Sequence, residues 1–415
     1  MASVAGDGKM TVEIKSRPAP GRQDGRSGRK HVMTSGFMLR SALGLLLAAT
    51  APAAIQAAPL KIGMITTLSG AGAGLGVDAR DAFALALKQA NNPEATLIVE
   101  DDAQKPELAV QIADKMIQSD GVDVLTGIIW SNLAMAVVPN AVDQEIFYLS
   151  VNAGPSALAG ANCHENYFNV AYQNDNFHEA MGQYAAETYK NTLIMAPNYP
   201  AGLDALTGFK RYYTGELAGE IHTQVGQSDY AAEIAQIRAS GADSVFFFLP
   251  GGMGIAFLKQ YAQSGVEIPL IGPGFSFSQD VLPAVGDAAL GVRNSASWSP
   301  DLENEASRAF VEAFKAEYGR LPSIYAAQAW DTANLLLSAQ AKADVKDPEA
   351  FRAALKEADF ASVRGKFGFN HNNHPIQDIY VREVAKLEDG TLTNRIVAKA
   401  FEDRGDAYAE ACKLP

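Results

Sequence analysis

Hydrophobic and polar positions in residues 60–102 follow the order of a strand, a helix and a second strand. Residues 61–66 form an apolar run that ends in a glycine-rich turn at 70–76. A second apolar run covers 95–100. Between the runs, apolar residues recur at the i, i+3, i+4 spacing of a helix with one buried face, at Ala79, Ala82, Phe83, Ala86, Leu87 and Ala90. This order predicts a parallel pair of strands, and its turn lies where open α/β sheets bind ligands.

The glycines of this turn do not have the spacing of a nucleotide-binding loop. They occupy positions 70, 72, 74 and 76, so Leu75 or Val77 stands where G-x-G-x-x-G needs its third glycine. The chain also contains no G-x-x-x-x-G-K-[ST] segment. The spacing therefore argues against a dehydrogenase and favours a turn that lines a cleft for a small ligand.

The alternation of strands and helices continues along the chain. Strands predicted at 122–129 and 146–151 run into the small or polar segments 130–132 and 152–155. After a polar break at 173–176, further strands are predicted at 192–196, 221–225, 244–249 and 269–272, with helices at 177–189, 202–217, 230–240 and 253–263. A return crossing is expected at 294–298, then helices at 303–318, 325–341 and 347–357, and strands at 367–369, 379–387 and 394–400. The fold class is α/β, with two lobes of parallel sheet flanked by helices and a ligand between them.

The N-terminal residues are expected to lie outside this fold. Residues 33–58 combine Arg40, a short apolar run at 42–51 and small residues near 57–58, which is the pattern of a secretory signal peptide. The run is shorter than the roughly 20 residues that span a bilayer. Residues 1–32 are expected to be a disordered or non-native extension, with translation starting at Met33 or Met38; the alternative is a genuine basic tail. A periplasmic location follows from this interpretation.

Charge narrows the choice of partners. The whole chain carries −13, and residues 1–57 hold eight basic against three acidic side chains, a net of +5, so residues 58–415 carry −18. This excess of negative charge argues against nucleic acid as a partner, because nucleic-acid binding needs basic patches.

Cysteines and histidines suggest one crosslink and no metal. Cys163 and Cys412 are the only cysteines, and in an exported chain they are expected to form a disulfide; the alternative is two buried free thiols. His371 and His374 have no nearby cysteine or acidic partner, so no metal site is predicted. Asp101 and Asp102 are expected to cap the loop after their strand rather than to act as a catalytic pair.

Several segments, in this order, resemble the type I periplasmic binding proteins of ABC transporters, in particular the branched-chain amino acid (Leu/Ile/Val) group. The segments are KIGMITTLSG, VDARDAFALAL, VDVLTGIIWSN, LSVNAGPSAL and PLIGPG. The resemblance implies two Rossmann-like lobes joined by a three-crossing hinge, with no catalysis and no cofactor. It also implies a membrane ABC permease as partner, and we expect a monomer. Lobe 1 is assigned to 59–173 plus 299–365, and lobe 2 to 174–298 plus 366–415.

The resemblance also implies where a ligand carboxylate binds. In the family it lies on a serine after the third strand and on small residues after the fourth, which here are Ser131, Asn152, Ala153 and Gly154. A hydroxyl and the backbone N–H groups of helix N-termini bind an anion without a cation. The family often has threonine at the last position, so Gly154 removes one hydroxyl contact.

The second lobe departs from the pattern of amino-acid binders. They place an acidic residue after a Gly-Pro pair, where it meets the ligand ammonium, but Gly272-Pro273 is followed by Gly274 and Phe275. A buried ammonium without an ion pair costs several kcal/mol. The departure favours an aromatic or 2-oxo acid as ligand, and the resemblance then points to the aromatic-acid-binding branch of the family. The alternative is an amino acid whose amine pairs with Asp175, Asp204 or Asp301.

The predicted ligand-binding residues are Leu75, Trp130, Ser131, Asn132, Asn152, Ala153, Gly154, Tyr199, Phe248, Gly274, Phe275 and Tyr325. We expect ligand to bind the first lobe and the second lobe to close over it, with hinges near 172–174 and 298–300. The function expected is capture of a small carboxylate for import. The alternatives are a branched-chain or other amino-acid binding protein, and a ligand-sensing module of the same fold.

Overall fold

The computed structural model describes residues 58–414 and, ahead of them, two short strands, Ser3–Val4 (β1) and Met10–Thr11 (β2). The expected signal peptide and, apart from these strands, the expected disordered extension lie outside the described residues.

The first sheet has the strand order β1-β2-β4-β3-β5-β6-β7. Its parallel strands are Leu60–Thr66 (β3), Ala95–Asp101 (β4), Val124–Thr126 (β5), Phe147–Ser150 (β6) and Tyr167–Asn169 (β7). The helices between them are Ala73–Ala90 (α1), Pro106–Lys115 (α2), Ser131–Asp143 (α3) and Ser156–Ala159 (α4). All residues of β5, β6 and β7 and six of the seven in β3 are buried, as expected for parallel strands covered on both faces, whereas β4 buries only three of its seven.

The second sheet has the order β13-β14-β12-β11-β10-β8-β9, with β15 paired to β14. Strands β8 to β12 are parallel, and they are Asn191–Pro197, Glu216–Thr223, Ser244–Phe247, Leu270–Pro273 and Arg293–Ala296. The antiparallel strands β13 to β15 are Phe367–Phe369, Pro375–Lys386 and Leu392–Arg404. Helices α5 to α9 are Asn176–Thr188, Pro200–Tyr212, Ala231–Ala239, Gly252–Ser264 and Leu282–Val285.

Three further helices, Glu305–Tyr318 (α10), Ile324–Lys342 (α11) and Pro348–Lys356 (α12), return to the first sheet. Helix α11 packs along α1, and the Phe351 ring of α12 meets Phe147 of β6 at 5.1 Å between centroids. We call the first sheet with α1–α4 and α10–α12 the first lobe, and the second sheet with α5–α9 the second lobe. The chain thus passes between the sheets three times, at 170–175, 297–304 and 357–366.

The predicted α/β class with two parallel sheets flanked by helices is confirmed. Several element boundaries differ from the expected ones, and three of them show the physical reason. The strand expected at 122–129 is only Val124–Thr126, because Gly127 adopts a φ of +104° and turns the chain. The helix expected at 202–217 ends at Tyr212, because residues from Glu216 pair with β8 as strand β9. The turn expected at 70–76 is already helical from Gly70.

The predicted disulfide is confirmed: Cys163 and Cys412 are bonded, with their Cα atoms 5.7 Å apart. The bond fixes the C-terminal tail to the segment between α4 and β7. Tyr408 of the tail also donates a 3.0 Å hydrogen bond to Asp175 at the start of α5. The tail therefore contacts both lobes beside the first crossing.

Candidate ligand-binding cleft

A narrow cleft, nearly filled by its own side chains, lies between the two lobes, with a cavity volume of about 10 Å³. Twelve residues line it: Leu75, Ile129, Trp130, Ser131, Asn152, Tyr172, Tyr199, Ala201, Phe248, Pro250, Phe275 and Tyr325. Larger grooves lie elsewhere, for example beside α5 and β15, but that groove runs along the side of the second sheet. The cleft is the stronger candidate because strand ends from both sheets meet in it.

Strand ends deliver most of the lining. In the first lobe, Trp130 follows β5, Asn152 follows β6 and Tyr172 follows β7. In the second lobe, Tyr199, Phe248 and Phe275 follow β8, β10 and β11 in the same way. Since the carboxyl ends of parallel strands lie at one edge of a sheet, two facing sheets bring these six residues together.

The lobes meet at the mouth of the cleft. A Cβ placed on Gly251 of the second lobe would lie 2.8 Å from Leu75 Cδ1 of the first. A Cβ on Gly74 of the first lobe would lie 3.4 Å from Asp280 Oδ2 of the second. The structure is therefore that of a closed form.

Two helix N-termini face the cleft, one from each lobe. Ser131 is the first residue of α3, and Ala201 is the second residue of α6. The first backbone N–H groups of a helix have no acceptor within it, and the helix dipole makes this end positive. Asn174 donates to Ser131 Oγ at 3.2 Å, which leaves the serine hydroxyl hydrogen free to donate. These groups can bind a carboxylate without a cation.

The lining is polar but uncharged. None of the twelve lining residues is Asp, Glu, Lys, Arg or His. Burial is the main reason that the pKa values of Tyr172, Tyr199 and Tyr325 lie well above that of a free tyrosine. The three phenols therefore stay protonated and can donate hydrogen bonds.

Aromatic rings form most of the remaining wall. The Trp130 and Tyr199 rings lie 6.3 Å apart across the two lobes, and Tyr199 stacks on Phe248 at 6.3 Å. Phe275 lies 4.8 Å from Tyr172 and 5.8 Å from Tyr325. Such a wall is suited to a flat or apolar ligand, since aromatic pairs gain energy at centroid distances of about 4.5–7 Å.

Eight of the predicted ligand-binding residues line the cleft, whereas Asn132, Ala153, Gly154 and Gly274 do not. The backbone N–H of Gly154 donates to Asn174 Oδ1 at 3.2 Å, so it is engaged away from the cleft. A Cβ at this position would overlap the carbonyl oxygen of Tyr172. This crowding explains why glycine stands where the family often has threonine.

Gly274 contacts a buried cation. A Cβ on Gly274 would overlap the guanidinium of Arg382, which donates to Asn294 Oδ1 at 2.7 Å and to the Trp298 carbonyl at 2.7 Å. Burial lowers the pKa of Arg382 to about 9, although the charge of Asp301 opposes the shift. The position where amino-acid binders place an acid is therefore next to a positive group.

The three acids considered as partners of a ligand amine already pair with protein groups, although Asp204 lies directly behind the cleft, where it accepts at 2.9 Å from Asn174, the donor to Ser131. Asp175 forms a 2.7 Å ion pair with Arg211. Asp204 accepts hydrogen bonds from the hydroxyl and the backbone N–H of Ser156, at 2.7 and 3.0 Å. Asp301 accepts from the Ile396 N–H at 3.0 Å. None of these carboxylates is among the lining residues.

Four lining residues were missed by the sequence analysis: Ile129, Tyr172, Ala201 and Pro250. Each follows a strand within a few residues, so the strand-end rule that pointed to Trp130 could have found them. Tyr172 was treated only as a hinge residue. The two histidines set aside as metal ligands lie apart from the cleft, and the structure shows no metal-ligand cluster among the residues it describes.

Two lobes with a ligand cleft between them are the architecture of extracytoplasmic solute-binding proteins. The sequence profile of the family described as "Periplasmic binding protein" matches residues 59–391, and the chain belongs to this family. It is a solute-binding protein of the ABC transporter type and not an enzyme. No helix among the described residues has the length and apolar character needed to cross a membrane.

Relatives of two kinds are found. The Leu/Ile/Val-binding protein homolog 6 of Brucella melitensis is 27% identical over 321 residues, covering 74% of this chain and 81% of the relative. An ABC transporter solute-binding protein of R. palustris, solved in complex with benzoate, is 31% identical with a TM-score of 0.81, over 86% of this chain and 100% of the other. A solute-binding protein of Rhodopseudomonas palustris BisB5, in complex with 3,4-dihydroxybenzoic acid, is 28% identical with a TM-score of 0.76, over 84% and 99%.

Proposed function

We propose that the protein captures a small aromatic or 2-oxo carboxylate between its lobes in the periplasm and delivers it to an ABC importer. The observation that carries the proposal is the lining of the cleft, which combines hydroxyl donors and aromatic rings with no charged side chain. The ligand carboxylate is placed at Ser131 and the start of α3, and the ring or apolar part of the ligand against Phe248 and Phe275.

Electrostatics favour this ligand over an amino acid. A carboxylate in the cleft meets neutral donors and a helix N-terminus, so its desolvation is offset. An ammonium in the same cleft would meet no carboxylate, and the one charged group beside Gly274 is the guanidinium of Arg382. An unpaired buried charge costs several kcal/mol. Benzoate and dihydroxybenzoate as ligands of similar proteins support the same choice.

Branched-chain or other amino-acid binding is the second candidate. It is supported by the Leu/Ile/Val-binding protein homolog from Brucella. A ligand-sensing module of the same fold is the third candidate. Permease and ATPase genes next to the gene of this protein would indicate import rather than sensing.

Matched pairs of ligands test the proposal. One pair is phenylpyruvate and phenylalanine, and the other is 4-methyl-2-oxopentanoate and leucine. Within each pair, the 2-oxo acid has a keto group where the amino acid has an amine. We expect benzoate and the 2-oxo acids to raise the melting temperature, since a ligand at 100 times its Kd adds about 2.7 kcal/mol of stability. Calorimetry then gives the Kd values. Tighter binding of phenylalanine and leucine than of their keto counterparts would overturn the proposal.

A further inference from the structure

A buried hydrogen-bond chain lies behind the Trp130 wall of the cleft. The indole Nε1–H donates to Thr67 Oγ1 at 3.0 Å, and the Thr67 hydroxyl donates to Asp102 Oδ1 at 2.6 Å. Thr67 and Asp102 are fully buried, and Trp130 is 3% exposed. Thr67 and Asp102 do not line the cleft, so they touch ligand only through Trp130.

The direction of this chain is fixed by its two ends. An indole N–H can only donate, and a carboxylate can only accept. The Thr67 hydroxyl must therefore point its hydrogen at Asp102 and offer a lone pair to Trp130. A charged acceptor makes the bond from Thr67 short and strong, which holds the hydroxyl in one orientation.

Asp102 is itself held in place. Its Oδ1 also accepts the backbone N–H of Gln104 at 2.8 Å, and its own N–H donates to the Thr66 carbonyl at 3.2 Å. These bonds cap the loop after β4, as the sequence analysis expected. Asp102 Oδ2 is buried with no hydrogen-bond partner among the described residues, so the carboxylate makes these side-chain bonds through Oδ1 alone.

The same edge of the indole is also fixed by packing. A Cβ on Gly72 would lie 2.7 Å from Trp130 Cζ2, closer than side-chain carbons approach each other. The hydrogen bond to Thr67 and the backbone of the Gly70–Gly72 turn therefore both hold the edge of the indole that carries Nε1 and Cζ2. Its N–H is used by Thr67, so its ring is what it offers to a ligand.

We propose that Thr67 and Asp102 are positioning residues of the cleft, which hold Trp130 with its ring face toward the ligand and its N–H away from it. This role rests on the proposed function in that a flat carboxylate ligand gains most from a fixed ring. It makes Trp130 an apolar wall rather than a hydrogen-bond donor to the ligand.

Thr67→Val tests the role, with Thr67→Ser as the matched control that keeps the hydroxyl. In ligand-free protein labelled with ¹⁵N-tryptophan, we expect Thr67→Val to shift the Trp130 indole N–H resonance and to leave those of Trp298 and Trp330 in place. Trp130→Phe assigns the peak. Benzoate affinity should fall about tenfold in Thr67→Val and stay near wild type in Thr67→Ser, since a buried hydrogen bond contributes about this much.

Other outcomes are also decisive. An unshifted Trp130 resonance in Thr67→Val, or equal loss of benzoate affinity in both variants, would overturn the positioning role. If Thr67→Val does not fold, Asp102→Asn probes the hydrogen-bond chain and Gly72→Ala the packing at this edge of the indole, by the same resonance. If wild type binds neither benzoate nor the 2-oxo acids while the resonance shifts as expected, the proposed ligand class is wrong and the positioning of Trp130 stands.

Discussion

At the scale of single residues, the cleft offers the proposed carboxylate only uncharged groups. Ser131 offers a hydroxyl at the start of α3, and three tyrosines keep their protons because burial raises the pKa of each phenol. Recognition of a carboxylate then depends on each donor separately, so single substitutions should have measurable and additive effects.

Ser131→Ala should weaken every carboxylate ligand by about 1–3 kcal/mol, the usual cost of losing a hydrogen bond to a charged group. Calorimetric Kd values for benzoate and a 2-oxo acid measure the loss. Ser264→Ala, at the far end of α8, is the control and should bind as wild type does. Unchanged affinity in Ser131→Ala would place the carboxylate elsewhere in the cleft.

An acid introduced into the cleft should change ligand class. Gly274→Glu is unsuitable because the Cβ of any side chain at this position would overlap the Arg382 guanidinium. Ala201→Asp is better placed, since residue 201 lines the cleft and lies in the first turn of α6, where an acid is tolerated. We expect it to improve phenylalanine relative to phenylpyruvate in paired titrations. Ala201→Asn, which adds the same bulk without charge, should leave that ranking alone.

At the scale of elements, the sequence could predict where the strands end. It could not predict which residues, distant in sequence, lie beside those ends. The apolar runs located β3, β6, β8 and β10 to within a few residues, and the residues after them include most of the cleft lining. The contact between Gly274 and Arg382 joins β11 to β14 across more than a hundred residues. Periodicity carries no information on such long-range contacts, so they required the fold.

The tail is the element with the clearest stability prediction. The Cys163–Cys412 bond closes a loop with a sequence separation of 249. Chain-entropy arguments give such a loop about 5 kcal/mol of stabilisation, as an upper value. Urea titrations with and without reductant should show a large drop in the midpoint for wild type. Cys163→Ser should show the lower midpoint in both conditions; equal midpoints for all samples would mean that the bond adds nothing.

At the scale of the whole molecule, closure brings acidic groups of the two lobes together. Asp280 of the second lobe lies against Gly74 at the start of α1, and Asp78 lies one turn further along that helix, paired with Arg320 at 2.5 Å. Burial, and secondly the charge of Asp78, raises the pKa of Asp280 to about 7. Separation of the lobes should return this pKa toward its ordinary value.

Ligand affinity should therefore depend on pH. The closed form holds a proton on Asp280 more tightly than the open form, so closure is favoured at low pH and this advantage is lost as pH rises through about 7. Benzoate titrations between about pH 5.5 and 8.5, in buffers of different ionisation enthalpy, measure both the affinity and the uptake of a proton. Asp280→Asn should flatten the profile. A profile that stays steep in this variant would assign the dependence to another group.

The uncharged cleft within an acidic body also bears on ionic strength. Residues 58–415 carry −18, so an anionic ligand approaches a like-charged surface whose repulsion extends about 30 Å in 0.01 M salt and about 10 Å in 0.1 M salt. Added salt should speed association, whereas dissociation from neutral donors in a closed cleft should change little. The association rate of the ligand should thus rise with ionic strength, whereas it would fall for a site lined by arginine. Stopped-flow association rates across a salt series measure this dependence.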